Sequence, residues 1–231
     1  MPTILILGAG PRIGLSLAEK FKSEGYTVVL ASRNPDIELA KAKGYETVSV
    51  NAGDINGVRE AFKKVSSLHG IPNVVVYNAM GLTYPGNFDD PYLTVTPESF
   101  AQDMNANAIG AFTAMQETLL GWKKLEGVAT AFIVTGSILP YSPLPLAFTL
   151  GAGKSALAHL VTCGAQLYGK EGHRFYYVSQ VTKDGTTLTS NDQVVAEAHV
   201  KVYWDLVNQQ EQGKWDVRFC ETGELVVKDA A

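Results

Sequence analysis

Cysteine is scarce. Cys163 and Cys220 are the only two in 231 residues, and their separation suits neither a disulfide framework nor a Cys-x-x-Cys redox or metal motif. They read as free thiols in a reducing compartment. Basic charge is not in excess either, with 19 Lys and Arg against 23 Asp and Glu and a formal net charge of −4. That balance gives no global cationic surface for nucleic acid or an anionic membrane. Long hydrophobic runs are missing from the start "MPTILILGAG", where about five apolar residues without a basic flank fall short of a signal core or a membrane span. These absences point to a cytoplasmic chain whose partners are small molecules or other subunits, with no nucleic acid and no membrane. Metal ligands are sparse too. His159 and Cys163 share a helical face at i, i+4, but with no third ligand nearby they read as packing or surface residues and no metal is expected.

What the chain does have is a 46% hydrophobic content, enough to bury the core of one large α/β domain spanning residues 1–231. Short apolar runs rich in β-branched residues alternate with segments of helical period, as in parallel strands joined by crossover helices. Strands are expected at 3–7, 27–31, 47–50, 73–77, 129–135, 174–181 and 216–220. Helices are expected at 13–23, 37–42, 55–68, 97–125 and 150–167, with a last one carrying Ala196, Val200, Tyr203 and Leu206 at helical spacing. The strand runs are apolar on both faces, so helices should cover both sides of a doubly wound, Rossmann-like, mainly parallel sheet.

Two glycine-bearing stretches suggest a nucleotide. "FTLGAGKSAL" contains Gly-Lys-Ser, yet a Walker loop needs a glycine six residues before its lysine and Phe148 stands there. A kinase or ATPase is therefore not indicated. "ILILGAGPRIGLSLAEKF" is a strand ending in glycines and opening a helix, the place where backbone N–H groups and the helix dipole hold a pyrophosphate. The glycines lie at Gly8, Gly10 and Gly14, with Ile13 where the common fingerprint has its third. Pro11 suits the first helical turn, and Arg12 either reaches the phosphates or is a solvated helix-start residue. The turn after the second strand carries Ser32 and Arg33 rather than an acid, which favours NADP over NAD. Asp54 reads as the N-cap of the helix that follows Asn51.

Taken in order, these motifs resemble those of the short-chain dehydrogenase/reductase family. Gly8 and Gly14 keep the register of Thr-Gly-x-x-x-Gly-x-Gly, with Leu7 for the threonine and Arg12 for the middle glycine. Asn51 stands where the family usually has an aspartate near the adenine. "YNAMG" keeps Asn78 and Ala79 of Asn-Asn-Ala-Gly, "NANAIGAF" matches Asn-x-x-Gly-x-Phe at Asn107, and "FIVTGS" aligns Ser137 with the substrate-orienting serine. The resemblance covers roughly the first 160 residues.

The resemblance implies a Tyr-x-x-x-Lys pair about thirteen residues after that serine, which returns to "FTLGAGKSAL". Lys154 takes the lysine position, and the tyrosine position is Leu150. Leucine cannot transfer a proton. By resemblance, Ser137 and Asn107 orient substrate and relay water, and Lys154 holds the nicotinamide ribose. A replacement proton donor is sought in the loop tyrosines Tyr141 and Tyr84. The implied protein is an atypical family member that binds NADP and acts on a small carbonyl- or imine-type substrate. An inactive NADP(H)-binding sensor or a non-redox enzyme on the same scaffold are the alternatives. The family's long helices imply a homodimer or homotetramer.

Overall fold

Alternate residues along each strand point to opposite faces of the sheet, and in this chain both sets are apolar. Leu5 and Leu7 join one buried cluster with Val75, Tyr77, Phe132 and Val134, while Ile4 and Ile6 join a second with Val74, Val76, Ala131 and Ile133. Such a sheet needs helices on both sides. The computed structural model, which describes residues 1–226, supplies them.

The elements follow in the order β1 (Thr3–Leu7), α1 (Ile13–Ser23), β2 (Thr27–Ser32), α2 (Ile37–Lys43), β3 (Glu46–Ser49), α3 (Ile55–His69) and β4 (Val74–Tyr77). The second half contains α4 (Pro91–Thr94), α5 (Pro97–Met104), α6 (Gly110–Trp122), β5 (Thr130–Thr135), α7 (Phe148–Tyr168), β6 (His173–Gln180), α8 (Ala196–Val207) and β7 (Asp216–Phe219). The seven strands run in the order β3-β2-β1-β4-β5-β6-β7, all pairs parallel. The order reverses between β1 and β4, which opens a crevice at the carboxyl ends of the strands. The first cluster draws on α3, α6 and α7, and the second on α1, α2 and α8.

Three expectations are corrected. The helix expected over 97–125 is α5, a five-residue π turn (Asn105–Ile109) and α6, which ends at Trp122. The π turn faces Asn107 inward, and Gly110 has no Cβ where one would lie 1.7 Å from the Ala52 carbonyl oxygen. Pro11 lies outside α1, for the helix starts at Ile13 with Arg12 as its N-cap. The buried stripe of α8 is Ala198, His199, Val202, Tyr203, Leu206 and Val207, leaving Ala196 and Val200 at its margin. Asp54, by contrast, caps α3 as expected, accepting from the Asn56 N–H at 3.1 Å.

Arg174 fixes the far end of α8. Its buried guanidinium donates to the carbonyls of Leu206, Val207 and Gln209 and, from β6, to that of Thr130. The carbonyls of Leu206 and Val207 belong to the last turn of α8, where the helix offers no i+4 donor. By length and composition one helical stretch, Pro145–Glu171, is apolar enough to cross a membrane. Here its inner face packs in the core through Leu157, Ala158 and Val161, and Gly164 lets it close on Phe175. Both cysteines are free, Cys163 half-buried and Cys220 buried.

Candidate functional site

A cleft of about 1120 Å³ runs along the carboxyl ends of the strands, bordered by Gly8–Ile13 in its middle, by Ser32, Arg33 and Asn51 at one end, and by Ser137, Leu150 and Lys154 at the other. Its centre is the turn after β1. Gly8 has φ +81°, and a Cβ there would lie 2.4 Å from the Ala79 backbone nitrogen, so the turn after β1 touches the turn after β4. Only glycine meets both demands. A Cβ at Gly10, in contrast, would meet only open space. Beyond it, the N–H groups of Arg12, Ile13 and Gly14 make no backbone hydrogen bond. The turn therefore fits a pyrophosphate, with free donors and room for close approach.

Arg12 does not lie idle on the surface. Its guanidinium donates to the Asn191 carbonyl, linking the glycine turn to the segment that follows β6. Arg33 is exposed beyond the end of β2, its carbonyl accepting from the Ser49 hydroxyl at 2.9 Å. Asn51 accepts from the Gly53 N–H at 3.1 Å, shaping the turn before α3.

Asn78 lies half-buried at the end of β4, in a hydrogen-bond chain whose direction can be derived. Its Nδ2 donates to the Gly8 carbonyl at 2.8 Å, and its Oδ1, which can only accept, takes the Thr135 hydroxyl proton at 2.8 Å. The Tyr203 hydroxyl, 2.8 Å from Thr135 Oγ1, must then be the donor to it. One chain of bonds thus ties α8, β5, β4 and the glycine turn together. Burial pushes the Tyr203 phenol well above its ordinary pKa, which keeps it a donor.

At the other end of the cleft, Ser137 Oγ accepts only a long 3.4 Å contact from the Leu139 N–H, so its proton is free for a ligand. Its backbone is clamped by the buried Tyr177, whose hydroxyl accepts from the Ser137 N–H at 3.1 Å and donates to its carbonyl at 2.9 Å. Lys154 is buried, and its Nζ donates to the Thr135 carbonyl at 2.6 Å. Burial without a carboxylate partner pulls its pKa down to about 8. Leu150, four residues earlier on the same helix face, borders the cleft where a phenol is expected.

Asn107 and Tyr141 do not join this group. Asn107 is fully buried and its amide is spent on Gly81, accepting from the N–H at 3.0 Å and donating to the carbonyl at 2.7 Å. Its side chain holds the turn after β4. Tyr141 does not border the cleft. Its ring lies under the Arg218 guanidinium at 4.4 Å, and Arg218 pairs with Asp216 at 2.7 Å. Tyr84 does border the cleft and is exposed. His159 lies 3.8 Å from the Cys163 sulfur, and no group of three or more His, Cys, Asp or Glu suited to a metal occurs among the described residues.

Three further contributors carry no motif in the sequence. Residues 187–191, after β6, border the cleft, with Thr187 Oγ1 buried and unpartnered. Gln180, at the end of β6, donates to the Gln193 carbonyl and accepts from the Val195 N–H, both at 2.9 Å, and so sets where α8 begins. His199 on α8 faces the cleft. The only local signal for it is the i, i+4, i+7 spacing of His199, Tyr203 and Leu206 on the buried face.

Comparison with known proteins agrees with this fold. A family model described as enoyl-(acyl carrier protein) reductase matches residues 8–219. The short chain dehydrogenase/reductase dmxR12 of Cryptosporiopsis sp. (strain 8999) is 34% identical over 226 residues, covering 93% of this chain and 89% of that relative. The chain belongs to the short-chain dehydrogenase/reductase family and is in that sense an oxidoreductase-family protein. Among solved structures, a metagenomic short-chain oxidoreductase in complex with NADP superposes with a TM-score of 0.81 at 19% identity, over 95% of this chain and 96% of that one. An alcohol dehydrogenase from the archaeon Thermococcus sibiricus, complexed with 5-hydroxy-NADP, has a TM-score of 0.75 at 20% identity over 100% and 99% of the two chains.

Proposed function

We propose that this chain is an NADP(H)-dependent oxidoreductase of a divergent branch of its family, acting on a small carbonyl- or imine-type substrate with Lys154 in place of a tyrosine as proton donor. The observation that carries this reading is that Ser137, Lys154 and an apolar Leu150 border the same end of one cleft. NADPH, when bound, supplies a hydride to the substrate carbon. The free N–H groups of the Gly8–Gly14 turn hold the pyrophosphate, and Arg33, with no acid in its turn, holds the 2′-phosphate. The Ser137 hydroxyl orients the substrate oxygen or nitrogen. A lysine ammonium with a pKa near 8 is mostly protonated at neutral pH, yet gives up its proton more readily than an ordinary lysine.

A folded chain is expected to bind NADPH saturably and to oxidise it with some member of a carbonyl and imine panel. Lys154→Met is then expected to lower kcat by about 10²–10⁴-fold, far more than it weakens NADPH binding. Failure of the folded chain to bind NADPH overturns the reading.

Leu150 also favours a second reading, a non-catalytic NADP(H)-binding sensor or a non-redox enzyme on the same scaffold. NADPH binding without turnover across the panel supports it. A homodimer or homotetramer assembled on the outer faces of α6 and α7 accounts for the exposed Phe112, Leu120 and Leu167. Light scattering at working concentration tests that assembly.

A further inference from the structure

We propose that His199 reads the nicotinamide half of the cofactor, its Nε2 accepting a hydrogen bond from the carboxamide N–H. The proposal rests on the dinucleotide-binding reading above. Its first support is position. With the pyrophosphate at the turn after β1 and the adenosine ribose at the end of β2, the second nucleoside must extend over the ends of β4, β5 and β6. His199 stands at that end. Gln180, at the end of β6, bonds the Val195 N–H just before α8, and Tyr203, one turn after His199, bonds Thr135 at the end of β5.

The second support is orientation. His199 Nδ1 lies 2.8 Å from the Val195 carbonyl oxygen, which can only accept, so Nδ1 carries the proton and Nε2 presents a lone pair. The ring is held edge-on to Phe219 at 4.8 Å and 90° and lies against Tyr203 at 5.9 Å. Only 2% of the residue is exposed, yet it borders the cleft, and Nε2 has no hydrogen-bond partner among the described residues. Burial also pulls the imidazole pKa down to about 4, so the ring stays a neutral acceptor at physiological pH.

A fixed lone pair selects a neutral donor and disfavours a phosphate oxygen. The second half of the dinucleotide offers two kinds of donor, its ribose hydroxyls and its carboxamide. By the family resemblance Lys154, from α7 on the opposite face of the sheet, reaches the ribose in addition to its proposed role as proton donor. For the carboxamide, α8 presents His199 in the cleft that the unpartnered Thr187 Oγ1 also borders.

The test compares, by calorimetry, the affinities for NADP and for its 3-acetylpyridine analogue, in which a methyl group replaces the amide NH₂. Wild-type protein is expected to prefer NADP by about tenfold. His199→Phe should keep the packing and abolish the preference, whereas His199→Gln, whose side-chain oxygen reaches a similar point, should restore part of it. Equal affinity of the wild type for the two compounds overturns the assignment, as does a preference that survives in His199→Phe. Should His199→Phe not fold, the wild-type ratio and His199→Gln still decide. These failures leave NADP binding intact, whereas a folded wild type that binds neither compound overturns the cofactor reading as well.

Discussion

The Lys154 ammonium stands 2.6 Å from the Thr135 carbonyl oxygen and forms no ion pair with any described residue. A buried cation held by one carbonyl is costly to the fold. Its pKa falls from 10.5 to about 8 on folding, so between those values the unfolded chain binds the proton and the folded chain does not. Stability from this group therefore rises with pH across that window, and below about 8 the full penalty is present.

Lys154→Met should accordingly be more stable than the wild type at pH 7, by about 1–3 kcal/mol. The gain should shrink toward zero as pH rises from 8 to 10.5. Urea unfolding of both proteins across this range measures the difference, which cancels the other titrating groups. A wild type as stable as the variant at pH 7 would show that the cation has a compensating partner.

Asn107→Ala tests whether that residue is a structural staple. The change removes two hydrogen bonds and leaves the half-buried Gly81 N–H and carbonyl without their partner. It should cost about 2–4 kcal/mol of stability, read as a lower denaturation midpoint. NADPH affinity in protein that remains folded should change much less. A large loss of substrate turnover with unchanged stability would instead return Asn107 to direct contact with substrate or water.

The extent to which such roles were legible in the sequence follows from how local each one is. The strands are readable because a parallel sheet covered on both faces writes continuous apolar runs such as Val74–Tyr77. The glycine turn is readable because Gly8 and Gly14 answer constraints set within a few residues. Ser137 and Lys154 are fixed by their distance along one strand-loop-helix unit. Tyr141 is not readable, because its aim is set by Arg218 on a strand far away in sequence. Asn107 is seen at its correct position but its bonds to Gly81 are not, since a π turn in Asn-Ala-Asn-Ala-Ile has the composition of an ordinary helix. His199 escapes for the same reason as Tyr141. It faces the cleft because Gln180 and Thr135 place α8, and neither bond leaves a mark in the α8 sequence.

Cofactor choice tests the end of β2. Arg33 is exposed at the cleft margin with no ion-pair partner among the described residues. Arg33→Asp should exchange a cation suited to the 2′-phosphate for an acceptor suited to the 2′-hydroxyl. The ratio of NADPH to NADH affinity should fall by about tenfold or more, since a charge-assisted contact contributes about 1.5–3 kcal/mol. An unchanged ratio would assign the discrimination to another residue.

Leu150→Tyr asks whether the rest of the site is assembled for reduction. Position 150 lies one helical turn before Lys154 and borders the cleft, so the new phenol would face the Ser137 hydroxyl region with an ammonium beside it. That ammonium should lower the phenol's pKa and make it an effective acid. If Ser137, Lys154 and the cofactor turn already hold a competent geometry, carbonyl-dependent NADPH oxidation should rise by about 10²–10⁴-fold over the wild type. The variant's pH profile should also follow the phenol rather than Lys154 alone. The half-buried Leu150 side chain leaves space toward the cleft, so the substitution should cost no more than about 1–2 kcal/mol, checked by thermal unfolding. A folded, NADPH-binding variant with no gain on any carbonyl would mean that the substrate end of the cleft does not serve carbonyl reduction, and would favour the sensor or non-redox reading.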